Sequence, residues 1–139
     1  AERNLLSLLA SNPDLFRPYA DRIATFSWAD ARHEAIAWAI LATPEGTPAA
    51  EAVAVATRAC PDAPRILSSS AFSSTSSWDD AKNVEFVVGE AEIRSLDRRI
   101  SQLTSSLGTM DSQGMRVALQ ELSQLRARRD EVRASQPLE

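Results

Sequence analysis

Between residues 78 and 132 the apolar side chains obey one spacing rule. Phe86, Ile93, Leu96, Ile100, Leu103 and Leu107 follow one another in steps built from threes and fours. That is heptad spacing, the narrow stripe that a helix shows to a single partner helix. Gly89 falls on the same line, where a missing side chain lets a neighbour come close. A second stripe of Val84, Val87, Val88 and Ala91 widens the apolar arc of the first turns, as a core helix requires. One long helix is therefore expected to complete a globular core with its first half and to carry a hairpin with its second.

The return helix of that hairpin follows from the next signals. Gly108 suits a left-handed residue ending the long helix, and Asp111 suits the cap of the next one. The return seam reads Met115, Ala118, Leu122, Leu125 and Val132, with Arg129 interrupting the line. A rival phase through Met115, Leu119 and Leu122 runs into Arg126. The first phase is preferred because it keeps Leu125 and Val132. Leu119 then sits at the border of the seam, and Val117 lies off both lines.

Upstream, the spacing predicts a series of short helices. Residues 2–11 form the first, with Leu5, Leu8 and Leu9 on one face and Leu6 spreading it. Asn12 and Pro13 stop it and start a short helix to Phe16; Pro18 begins a further turn or two through Tyr19 and Ile23. Ser27, with Asp30 three residues on, reads as the start of a helix ending near Leu41. Its expected apolar face is Trp28, Ala31, Ala35, Trp38 and Ala39, widened by Ile36 and Ile40. Helices over residues 49–59 and from Pro64 to about residue 69 follow. Residues 68–77 form a serine-rich loop, and Ser77-Trp78-Asp79-Asp80 caps the long helix.

Strand alternation is absent. The fold class is all-α: a compact helical bundle followed by a long helix and a C-terminal helical hairpin. Residues 1–89 make the bundle subdomain, 90–135 the hairpin subdomain and 136–139 a tail. The chain lacks an initiator Met, and Leu138-Glu139 looks like a cloning junction, so the sequence is expected to be excised from a larger protein.

The totals exclude several kinds of chemistry. The net charge is −4, with seven basic against eleven acidic residues over 1–89 and eight against seven over 90–135. A basic face of the kind nucleic-acid binders show does not emerge by count, which argues against nucleic acid as direct ligand. No apolar run approaches the ~20 residues of a membrane span. One cysteine, Cys60, suits a reducing cytoplasm, and one Cys with one His cannot build a zinc site, so neither metal nor cofactor is expected. His33 sits among surface-type residues and is expected to face solvent. Asp79 and Asp80 point in different directions on a helix and are better explained as caps than as metal ligands. No catalytic residue is expected, and the fragment is not expected to be an enzyme.

Two features remain that carry function. Trp78 is either an anchor where the loop meets the bundle or one wall of a partner pocket. A two-helix arm buries little apolar surface for its length, so it gains most if a partner grips it. Met110, Met115, Val117 and Leu119, at or off the edge of the seam, are its expected exposed apolar contacts.

The opening run Glu2-Arg3-Asn4-Leu5-Leu6-Ser7-Leu8-Leu9-Ala10-Ser11-Asn12-Pro13-Asp14-Leu15, the Trp78-Asp79-Asp80 start of the long helix, and Leu122-Ser123-Gln124-Leu125-Arg126-Ala127-Arg128-Arg129 together resemble the C-terminal, helicase-binding domain of bacterial DnaG-type primases. The likeness covers nearly the whole chain as helix lengths and short matches. It implies a bundle and a hairpin that docks on the N-terminal domain of the DnaB-type replicative helicase, bringing primer synthesis to the fork in the cytoplasm. The implied helicase contacts are Leu107, Met110, Met115, Arg116, Val117, Leu119, Leu122 and Arg126. The resemblance also implies a pocket at Arg3, Leu6 and Trp78 for the acidic tail of single-stranded DNA-binding protein. The cation such members place four residues before the Trp is Ser74 here, a departure that weighs against tail binding. The primer-synthesising activity of such a protein, a DNA-directed RNA polymerase, belongs to other domains. Trp28, His33 and Ile36 also echo an aromatic-x-x-x-x-His-x-x-Ile pattern of the helicase's own N-terminal domain. A third reading is a free-standing helical regulator that dimerises through its hairpin.

Overall fold

Acidic caps set where the helices starting at Ala31, Asp80 and Ser112 begin, and prolines stand at the starts of those beginning at Pro13 and Ala49. In a computed structural model describing residues 1–68 and 79–137, α1 spans Glu2–Ser11, α2 Pro13–Phe16, α3 Ala20–Ile23 and α4 Ala31–Leu41. They are followed by α5 Ala49–Ala59, α6 Ala63–Ser68, α7 Asp80–Ser106 and α8 Ser112–Ser135. The described residues contain helices, turns and irregular segments but no strand, so the all-α expectation holds. Pro13 opens α2, as expected of a residue with no N–H to lose, although Asn12 caps it without a side-chain hydrogen bond. Trp78, Ser74 and the loop over residues 69–77 lie outside the described residues.

Three helix starts and ends differ from the sequence expectation. Helix α4 begins at Ala31, not at Trp28, because Asp30 takes the N-cap and its carboxylate accepts the N–H of Arg32 at 2.9 Å. Helix α7 is capped by Asp79, whose carboxylate accepts the N–H of Lys82 at 2.8 Å. Gly108 is not left-handed; it sits in a 3-10 turn over Leu107–Thr109 that carries the chain from α7 to Asp111. Gly46, at φ 85°, is the left-handed glycine among the described residues, and its N–H donates to the Asp14 carboxylate. Asp111 caps α8 as expected, accepting the N–H of Gly114 at 2.7 Å.

The core forms where the apolar faces of α1, α4 and α7 meet. Leu5, Leu6 and Leu9 of α1 pack with Ile36, Ala37 and Ile40 of α4 and with Val84, Val87, Val88 and Ala91 of α7. Phe16, Ile23 and Phe26 close one side of it, and Ala52, Ala56 and Ile66 another. The small side chains of α5 let it lie close to α4. The face assigned to α4 is corrected. Ile36 and Ile40 are its centre, with His33 and Ala37 beside them, while Ala31 is exposed and Trp38 is 38% exposed. The error follows from starting the helix at Trp28, which lies in the preceding loop, half-buried and tilted against Phe26 at 5.9 Å.

Along α7 the core cluster runs as far as Ala91. Beyond it, α8 packs chiefly on α7. Gln136, just past α8, lays its side chain over Gly89 and donates to the Phe86 carbonyl at 3.1 Å. A Cβ at residue 89 would lie 1.9 Å from that side chain's Oε1. The close approach expected at Gly89 is therefore made by Gln136.

Candidate functional site

The hairpin formed by α7 and α8 separates into a seam and two open flanks. Ala118, Leu122, Leu125 and Val132 are buried in the seam, and Leu119 is 52% exposed, so the preferred phase is the observed one. Met115 and Val117 are also open, at 37% and 60%. Arg116 and Arg126 are exposed, while Leu107 and Met110 are half-buried at the turn. Leu122 is corrected as a contact residue: at 1% exposure it holds the seam and offers no surface. At ~100° per residue, Met115, Leu119 and Arg126 share one flank of α8, and Val117 lies roughly opposite. The expected contacts thus divide between two faces.

At its root the hairpin is clamped to the bundle through one carboxylate. Glu92 of α7 is buried at 4% exposure. Arg22 of α3 donates to its Oε1 through Nε at 2.9 Å and Nη2 at 2.7 Å. Arg128 of α8 donates to its Oε2 through Nε at 2.8 Å. The Arg128 guanidinium is raised above its ordinary pKa, chiefly by this hydrogen bond. Arg129, which interrupts the seam in the sequence, pairs with Asp97 of α7 at 3.2 Å, and Arg99 of α7 pairs with Glu121 at 3.1 Å. Beside this clamp lies a cavity of about 420 Å³ with Phe26, Leu96 and Leu125 in its wall.

A second buried carboxylate ties α1 to α4 and α7. Glu2 Oε1 lies 2.7 Å from His33 Nδ1, and Oε2 accepts the Ala29 N–H at 2.7 Å and Arg98 Nη2 at 3.0 Å. Arg98 also donates to the Ser27 carbonyl. His33 is thus not solvent-facing: it is 6% exposed, within the core face of α4. His33 Nε2 and Trp28 Nε1 are buried and have no hydrogen-bond partner among the described residues, with Asp30 Oδ2 3.9 Å from His33 Nε2.

The sequence held a signal for both hubs. Glu92 stands four residues from Val88 and from Leu96, Glu2 stands three and four before Leu5 and Leu6, and His33 stands the same distances before Ile36 and Ala37. Polar residues at apolar helix positions need buried partners.

Of the residues implied for a tail pocket, Arg3 is exposed, Leu6 is fully buried and Trp78 lies outside the described residues. Leu6 is therefore corrected from a pocket wall to a core residue. Among the described residues no group of His, Cys, Asp and Glu is placed to hold a metal ion, and no described helix is long and apolar enough to cross a membrane. The chain matches no known protein family, and no curated protein or solved structure matches it.

Proposed function

We propose that the chain is a non-catalytic interaction domain, the helicase-binding domain of a bacterial DnaG-type primase, and that its hairpin docks on the N-terminal domain of a DnaB-type replicative helicase. The observation that carries this reading is the exposure of Met115, Val117 and Leu119 on the tip half of α8, beyond the bundle core. Met115 and Leu119 neighbour each other on one flank of α8, and adjoining exposed apolar side chains are what a partner surface offers. The root clamp at Glu92 supports the same reading, because a fixed arm loses less entropy on docking than a loose one. The name of the partner rests on the sequence resemblance.

The test is calorimetric titration of the chain into the N-terminal domain of the cognate helicase. Leu119→Glu and Val117→Glu probe opposite flanks. The flank that docks should lose about tenfold or more in affinity, as expected when an interface anchor is replaced by a charge. An intact chain that does not bind, or two variants that bind as tightly as the parent, refutes the proposal.

One observation favours a second reading, the helicase's own N-terminal domain. Two of the three residues matching its pattern, His33 and Ile36, are buried together on α4, and Trp28 packs on Phe26 at the core's edge. Under that reading the chain binds a primase hairpin domain and not the helicase. A concentration-dependent dimer in light scattering, with neither partner present, would instead point to the free-standing regulator. Binding of the single-stranded DNA-binding protein tail rests on the resemblance, with Arg3 as its exposed residue.

A further inference from the structure

Three arginines from three helices line a single cleft. Arg3 of α1, Arg32 of α4 and Arg65 of α6, with Ile66, enclose a space of about 330 Å³. Two of the three are held by aspartates that do not themselves line the cleft. Arg32 Nη2 is 2.8 Å from Asp30 Oδ2, and its Nη1 is 3.1 Å from Asp62 Oδ2. Arg65 Nη2 is 3.0 Å from Asp62 Oδ1. Arg3 is exposed, and its side chain has no hydrogen bond or ion pair among the described residues.

Two features favour anion binding in this cleft over a closed surface salt-bridge cluster. The guanidiniums outnumber the aspartates that balance them, and gathering like charges in one cleft leaves a field that an anion relieves. Arg32 is also the second residue of α4, so the first turn of an eleven-residue helix, with its Asp30 cap, adjoins the cleft.

The number of guanidiniums, and their origin on three helices, favours one kind of anion. A planar carboxylate is served by one guanidinium, as Asp30 is by Arg32. Three guanidiniums entering from three helices suit a tetrahedral dianion with acceptor oxygens on every side. We propose that this cleft binds the phosphate group of a small phosphorylated ligand, with Arg3 as the ligand-responsive cation and Arg32 and Arg65 pre-positioned by Asp30 and Asp62. The space exceeds a bare phosphate, and Ile66 supplies an apolar wall for the group it is attached to. The inference is independent of what the hairpin binds.

The test titrates pyrophosphate into the full chain at matched ionic strength, following backbone amide shifts by NMR. Saturable shifts centred on residues 3, 32 and 65 are expected. Arg3→Ala and Arg65→Ala should each weaken binding about tenfold, the cost of one charge-assisted hydrogen bond. Both side chains are exposed, so these variants keep the fold, as circular dichroism will verify. Arg116→Ala, on the hairpin, should bind as the parent does. No saturable shift, or equal affinity in the Arg3 and Arg65 variants, overturns the proposal. An acidic peptide that shifts the same amides while pyrophosphate does not also overturns it, and assigns the cleft to a peptide carboxylate.

Discussion

Replacing Glu92 with Gln should loosen the hairpin at its root. The carboxylate is 4% exposed and takes hydrogen bonds from guanidiniums of α3 and α8. A glutamine presents one acceptor oxygen, and its amide N–H₂ must face a guanidinium. Removing one member of a buried ion pair costs ~3–5 kcal/mol. Here the Arg22 and Arg128 side chains are 32% and 40% exposed, so they can turn toward water. That relief brings the expected loss to roughly 2–3 kcal/mol. For a chain of this size the melting temperature should fall by roughly 6–15 °C. Thermal unfolding measures the total, and amide hydrogen exchange locates it. Protection should drop in the second half of α8, which meets the bundle side through Arg128, more than in α5. Arg128→Ala should then cost far less in the Glu92→Gln background than alone, since the two act through one contact. A melting temperature within about 2 °C of the parent, with unchanged exchange in α8, would refute the clamp.

Three further outcomes follow from the geometry. Leu122→Ala should destabilise by about 2–5 kcal/mol in urea unfolding, because Leu122 is buried in the seam; Leu119→Glu, at an exposed position, should change stability by no more than about 0.5 kcal/mol. Asp30 is held down to about pKa 2 by hydrogen bonds from the Arg32 side chain and backbone. A depressed carboxylate contributes stability that is full above its ordinary pKa and is lost as pH falls toward the folded value. Asn keeps the cap but not the charge, so the stability gap between the parent and Asp30→Asn should be constant near neutrality and close between about pH 4 and pH 2. Gly89→Ala sets the gain of alanine in a helix, about 1 kcal/mol, against displacement of Gln136. It should therefore be more favourable in a Gln136→Ala background than alone, a comparison that unfolding midpoints can make.

How much was legible in the sequence depended on whether a signal was local. The boundaries of α1 and α5 and the cap of α8 were readable because proline, alanine-rich runs and acidic caps act within a few residues. The α8 seam was readable because Leu122, Leu125 and Val132 share one period. Helix α4 was misplaced because Ser27 and Asp30 both resemble caps. The choice between them is made by tertiary contacts: the Ser27 N–H donates to Ser95 and its carbonyl accepts from Arg98, which hold that segment as a loop. His33 was misread, and the role of Glu2 passed unread, for the same reason. Their partners lie 31 and 96 residues away along the chain, and no local rule reports such distances.

The two-part seam within residues 78–132 was thus set by the sequence alone, because heptad and core periodicities are properties of one helix. Which partners the buried polar residues would meet was decided only by packing. A carboxylate at an apolar position is costly until a guanidinium from another helix meets it, and Arg22, Arg98 and Arg128 arrive there only once the chain has folded. The grouping of Arg3, Arg32 and Arg65 around one cleft is of the same kind. Three arginines spread over three helices have no common period, and only the bundle brings them together.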